Sequence, residues 1–165
     1  MDVWYEVLAE EGLDLIEPLW LQLRQMHQTR STYFKETLGA RTFQDHREEL
    51  LEKAAEGLMR VELVRDMEGR LVAYCVSTID PHMTGEVDSI FVAIGFRGLG
   101  IGTRLMEGSM SWMDGLGVRR KVIGVIVGNE SVYGYYARFG FKPKNVILEH
   151  APNAGARREV EQPIK

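Results

Sequence analysis

Arg97-Gly98-Leu99-Gly100-Ile101-Gly102-Thr103 lies between two segments of different hydrophobic period. Upstream, Glu86–Val92 alternates, placing Glu86, Asp88, Ile90 and Val92 on one face of a predicted strand. Downstream, Ile101, Leu105, Met106, Met110 and Met113 recur at helical spacing, which predicts a helix to about Gly117. The glycines therefore form a strand-to-helix turn. Gly98, Gly100 and Gly102 leave backbone N–H groups bare, the helix start adds the positive end of its dipole, and Arg97 and Arg104 add charge. Such a turn is a cradle for a phosphate or pyrophosphate. The same glycines would also serve a tight turn with no ligand.

Two familiar phosphate motifs do not fit. A P-loop needs a lysine followed by serine or threonine after its last glycine, and none stands there. A dinucleotide turn needs Gly-x-Gly-x-x-Gly in a leading strand–helix–strand unit, with an acid about 20 residues on. Here the glycines are spaced two and two, three predicted strands precede the one that leads into them, and Arg119-Arg120-Lys121 occupy the place of the acid.

Working outward, Val3–Glu10 reads as an opening strand. Leu15, Ile16, Leu19, Trp20, Leu23 and Met26 form a helical stripe, with Asp14 as its expected N-cap and Pro18 in its first turn. A second helix is expected over Asp45–Ala55, capped by Thr42. Leu58–Arg65 and Arg70–Ile79 read as a hairpin turning at Asp66–Gly69, and Pro81–Gly85 reads as a loop. After the central helix, Lys121–Val127 predicts a buried strand. Val132–Phe139 predicts a short helix ended by Gly140, and Asn145–His150 a last strand. The resulting order, βααβββαβαβ, is an α/β or α+β fold with helices packed on a mixed sheet. One domain over residues 1–150 is expected, and Ala151–Lys165, without periodicity, is expected to be a weakly ordered tail.

Composition narrows the class. At 165 residues with 45% hydrophobic content, the chain can bury a core without disulfide or metal staples. The single cysteine, Cys75, excludes a disulfide framework and suits a reducing cytoplasm; within an apolar run it reads as inert core. No apolar run approaches the roughly 20 residues that span a bilayer, and the start Met1-Asp2-Val3-Trp4 lacks the basic residues of a signal peptide, so neither membrane nor secretion is expected. No basic run interleaved with aromatics suggests nucleic acid. His27, His46, His82 and His150 are scattered without metal-ligand spacing, so no metal is expected. His82, before the fourth strand, reads as a solvated loop histidine, with contact to the acceptor as the alternative. Tyr33, Phe34 and Phe43 could line a pocket or pack the core. The net charge of −4 is uneven: residues 1–90 hold 9 basic against 18 acidic side chains, and residues 91–165 hold 11 against 6. This imbalance is either solvated surface or a sign that the second half meets an anion and the first half a cation.

The stretch from Glu86 to Phe141 resembles the GNAT acetyltransferases. Arg97-x-x-Gly100-x-Gly102 after a strand is similar to that family's pyrophosphate loop, Gln/Arg-x-x-Gly-x-Gly/Ala, although Gly95 replaces a frequent proline. Asn129, Tyr136 and Gly140-Phe141 resemble its Asn-x₆-Tyr-x-x-x-Gly-Phe pattern, with Val132 where alanine is common. Residues 1–85 carry no such motif. The resemblance implies a mostly antiparallel mixed sheet of six to seven strands with helices on both faces, splayed between the fourth and fifth strands. Acetyl-CoA is the implied co-substrate. Its pyrophosphate would meet Arg97, Gly98, Leu99, Gly100, Ile101, Gly102 and Thr103, and its pantetheine would pair with Phe91 and Val92. Asn129 would hold the pantetheine arm or cap the following helix, and Tyr136 would protonate the departing thiolate.

Direct transfer to a primary amine needs a base, since an ammonium has no lone pair to attack with. Glu86 and Asp88 are the candidates, because neighbouring carboxylates raise one another's pKa. A polar strand edge or a water-mediated proton path are the alternatives. The acceptor is a small-molecule or protein amine, drawn by its positive charge if the acidic half forms the mouth. A homodimer is compatible with the sequence. The competing function is a non-catalytic acyl-CoA-binding or regulatory module on the same fold.

Overall fold

A computed structural model describes residues 2–151. The chain runs β1 (Val3–Leu8), a 3₁₀ turn (Glu10–Ile16), α1 (Glu17–Arg30), α2 (Lys35–Ala40), α3 (Phe43–Glu56), β2 (Leu58–Asp66), β3 (Leu71–Ile79) and β4 (Thr84–Val92). It continues through a second 3₁₀ turn (Ile94–Phe96), α4 (Ile101–Gly115), β5 (Arg120–Ile123), a third 3₁₀ turn (Glu130–Val132) and α5 (Tyr133–Ala137). The strands form one sheet in sequence order, antiparallel throughout except for the parallel pair β4–β5. No helix among the described residues is long and apolar enough to cross a membrane.

Among the described residues the sheet is a mixed one of five strands, not the six to seven expected. Asn145–His150 forms no ladder. Val146, Ile147 and Leu148 are exposed there, so no burial offsets the cost of ordering a strand. The predicted fifth strand shrinks to Arg120–Ile123, ending before Gly124. Residues 152–165, most of the expected tail, lie outside the described residues.

Alternation along β3 splits the core in two. Tyr74 and Val76 join α1 and α3 on one face, while Ala73 and Cys75 join α4 on the other. Trp20 of α1 locks the first layer, edge-on to Phe43 at 5.6 Å and stacked on His46 at 5.1 Å. Phe43 is thus core, whereas Tyr33 is 72% exposed. Thr42 caps α3 as expected, through a capping box shared with Asp45. Asp14 caps nothing. Leu13 and Ile16 are buried within the 3₁₀ turn, which delays the helix to Glu17 and leaves Pro18 in its first turn, where a missing N–H breaks no helical bond. Helix α2 carried no periodicity in the sequence and buries no residue.

One irregularity positions the site. Val76 opposes Ser89 and Ser77 opposes Val87, so Asp88 has no partner on β3. This bulge breaks the alternation expected over Glu86–Val92. Val87 and Ile90 face the α4 layer, and Ile90 and Val92 are turned away from the face that holds Glu86 and Asp88.

Candidate active site

Pairing between β4 and β5 ends at Val87–Ile123, yet β4 runs on to Val92. Beyond that point the strands part, and β4 presents an edge without a partner strand from Asp88 to Val92. A cavity of about 620 Å³ fills the gap and passes through the sheet. On one face it is walled by α4, its preceding loop and α5; on the other by Leu23, Met26, His27 and Arg30 of α1. Phe91 and Val92, the expected pantetheine partners, line it beyond the last β4–β5 pair.

The glycine turn folds as a cradle. Gly100 is the N-cap of α4 in the left-handed region (φ 79°), and no side chain caps the helix, so its first-turn N–H groups face outward unclaimed. A Cβ on Gly100 would meet nothing within 4 Å, so it is the backbone conformation that calls for glycine, and the space before the bare N–H groups is open. Arg97 donates from Nε to the Val92 carbonyl at 2.9 Å and stands over the Phe91 ring. Ile101, 3% exposed, anchors the helix in the core, while Gly98, Gly102 and Thr103 line the cavity. Leu99 is half exposed and does not line it. Arg138 of the chain after α5 reaches back to Thr103 Oγ1 at 3.4 Å.

Tyr136 lines the cavity, and burial raises its phenol pKa well above the usual value. Tyr135 lines it too, 5.1 Å away centroid to centroid. Its buried hydroxyl has no partner, burial pushes it up to about 12, and it sits 3.0 Å from where a Gly102 Cβ would be. Tyr133 is not part of the lining. Asn129 is buried but makes no side-chain cap; its Oδ1 accepts from Arg30 Nη1.

Lys53 holds the two carboxylates side by side, but they face different spaces. Asp88, with its side chain 4% exposed, borders the cavity, accepting from Thr78 Oγ1 at 2.8 Å and Lys53 Nζ at 2.5 Å. Burial raises its pKa, and Lys53 opposes that rise. Glu86 accepts from the same lysine at 2.7 Å but faces a small outer pocket with Glu56 and Asp80 instead. His82 is outside the cavity lining, and Cys75 is buried, its thiol pushed up to about 11, which suits inert core.

Sequence reasoning missed the α1 wall, Arg138, Tyr135 and the Lys53 pairing. For α1 a signal existed: the stripe through Leu19 and Leu23 continues at His27 and Arg30, where it turns polar on a face the first part buries. Of the many acids in residues 1–90, Asp88 is the one that lines the cavity, against Arg30, Arg97 and Arg138.

Known proteins share this architecture. An uncharacterized N-acetyltransferase of Methanocaldococcus jannaschii is 30% identical over 100 residues, 59% of this chain and 44% of that protein, so the chain spans under half of that relative's length. A GCN5-related N-acetyltransferase from Ralstonia eutropha superposes with a TM-score of 0.69 at 19% identity, covering 91% of this chain and 99% of that one. A ribosomal-protein-alanine N-acetyltransferase from Brucella melitensis gives a TM-score of 0.61 at 18% identity, covering 91% and 100%. The family model for GNAT acetyltransferases matches residues 20–141, which takes in the α1 wall, the glycine cradle, Asn129 and Tyr136. Residues 20–141 are most of the chain, and the protein belongs to the GNAT acetyltransferase family of acyltransferases.

Proposed function

We propose that the protein transfers the acetyl group of acetyl-CoA directly to a primary amine. The observation that carries this reading is the gap between β4 and β5, open from the uncapped start of α4 to the α1 face. Pyrophosphate fits the N–H groups of Gly98–Thr103 with Arg97 and Arg138 beside it, because helix N-termini and guanidinium groups both favour anions. Pantetheine adds to the free edge of β4 at Phe91 and Val92 as an extra strand would. Asn129, steadied by Arg30, borders the gap.

The amine arrives from the α1 face and its nitrogen attacks the thioester carbonyl carbon. The C–N bond forms, and the carbonyl oxygen gathers negative charge that strand N–H groups can stabilise. Collapse breaks the C–S bond. Asp88 takes the proton the amine must lose, since its burial favours the protonated form and it borders the cavity, unlike Glu86. Lys53 holds both carboxylates and sets how readily Asp88 accepts. Tyr136 gives its proton to the departing thiolate, so the products are an amide and a neutral thiol.

Thermal unfolding with acetyl-CoA, ATP and NAD, followed by thiol release over a panel of amines, tests this. Stabilisation by acetyl-CoA alone, with amine-dependent thiol release, is expected. Stabilisation without release by any amine would favour a binding module. Stabilisation by ATP or NAD instead would overturn the cofactor assignment.

A further inference from the structure

We propose that the acceptor amine also carries an anionic group, a carboxylate or a phosphate, and that Arg30 at the C-terminal end of α1 recognises it. This rests on the transferase reading and names the acceptor's chemistry within it.

The inference comes from accounting for charge along a cavity that crosses the sheet. Four charged side chains line it: Asp88, Arg30, Arg97 and Arg138. Asp88 is offset by Lys53. Arg97 and Arg138 stand at the glycine cradle, tied to the Val92 carbonyl and to Thr103, where the cofactor's phosphates balance them. Arg30 is on the opposite side, on the α1 wall, where no cofactor phosphate is placed. Among the described residues no carboxylate lies within 4.0 Å of it, and its hydrogen-bond partner, the Asn129 amide oxygen, is neutral. A guanidinium offers five N–H donors, and this one spends one on Asn129.

Arg30 is also held in place. Gly128, at φ +103°, brings its backbone so close to the end of α1 that a Cβ there would fall 2.0 Å from the Arg30 carbonyl oxygen. The loop after β5 thus grips Arg30 by its backbone on one side and by its guanidinium on the other. Leu23 and Met26 add apolar surface beside it, while Arg30 itself stays exposed at the cavity wall, open to an incoming ligand. His27, one turn earlier, is shifted toward its neutral form, first by burial and then by Arg30, so it adds little competing charge near neutral pH. A fixed cation, unpaired, on the substrate side of a reaction cavity is the arrangement that selects an anion by charge-assisted hydrogen bonds.

The test uses matched amines that differ only in carrying a carboxylate, a phosphate monoester or a neutral amide at the same distance from the nitrogen. kcat/KM is measured by thiol release for the unmodified protein, Arg30→Gln and Arg30→Lys. The unmodified protein should prefer one anionic amine over the neutral one, and which of the two identifies the group. The ratio of anionic to neutral kcat/KM should fall about ten- to a hundredfold in Arg30→Gln and recover in large part in Arg30→Lys. A loop merely loosened from Asn129 would slow both amines alike and leave the ratio unchanged, which would overturn the assignment. So would a preference for the neutral amine. Acetyl-CoA binding without turnover of any amine would instead sink the transferase reading itself.

Discussion

Asp88 sits where β4 gains one residue over β3, and that extra residue decides which carboxylate meets the cavity. In the sequence Glu86 and Asp88 look equivalent. The bulge leaves no mark in the letters, and their shared partner Lys53 lies 33 and 35 residues away, so neither the bulge nor the lysine could be read locally. Tyr136 is different: its distance from Asn129 and from Gly140-Phe141 is a local spacing, and it was legible. Tyr135 was not, because its closeness to Gly102 comes from packing α5 on α4. The acid role is tested by Tyr136→Phe, which keeps the ring and removes the hydroxyl. With chemistry rate-limiting, kcat should fall at least about tenfold while acetyl-CoA still binds, as expected when a general acid is lost. An unchanged kcat, with Tyr135→Phe damaging instead, would move the role one residue back.

At the scale of elements, the β4–loop–α4 unit is the proposed cofactor site. It was readable because period, glycine spacing and helix start are all local. Its counterpart wall was not, since α1 reaches the cavity only through the packing of Leu19, Trp20 and Leu23 against the sheet. Asn145–His150 marks the opposite failure: its β-branched letters suggest a strand, but its apolar side chains find nothing to cover them. Gly100→Val tests the cradle. The left-handed N-cap (φ 79°) disfavours a β-branched residue, and its side chain would stand over the bare N–H groups. Titration calorimetry should show acetyl-CoA affinity reduced at least about a hundredfold, with a helical far-ultraviolet spectrum retained. Normal affinity in the folded variant would displace the pyrophosphate from this loop.

For the molecule as a whole, charge that looks lopsided along the chain is redistributed by folding: the acids of the first half, Asp88 excepted, stay out of a cavity lined by three arginines. One buried titratable group sets an acid limit on stability. His46, 6% exposed and stacked on Trp20, is pushed down to about 4, chiefly by burial and then by Arg41 and Lys53. Between the ordinary histidine value of about 6.5 and that folded value, the unfolded chain binds the proton and the folded one does not, so unfolding is favoured as pH falls. The loss should reach at most roughly 3 kcal/mol by pH 4. Urea unfolding across this range should show it, and His46→Phe should flatten the slope; an equal slope in the variant would place the acid sensitivity elsewhere. The central claim, that acetyl-CoA lies through the gap between β4 and β5, is tested most directly by a crystal structure with CoA bound. The account predicts pyrophosphate oxygens on the Gly98–Thr103 N–H groups, pantetheine paired with Phe91 and Val92, and the sulfur within hydrogen-bond reach of Tyr136 Oη. CoA bound outside the gap, or its sulfur on the far side of the sheet from Tyr136, would contradict it.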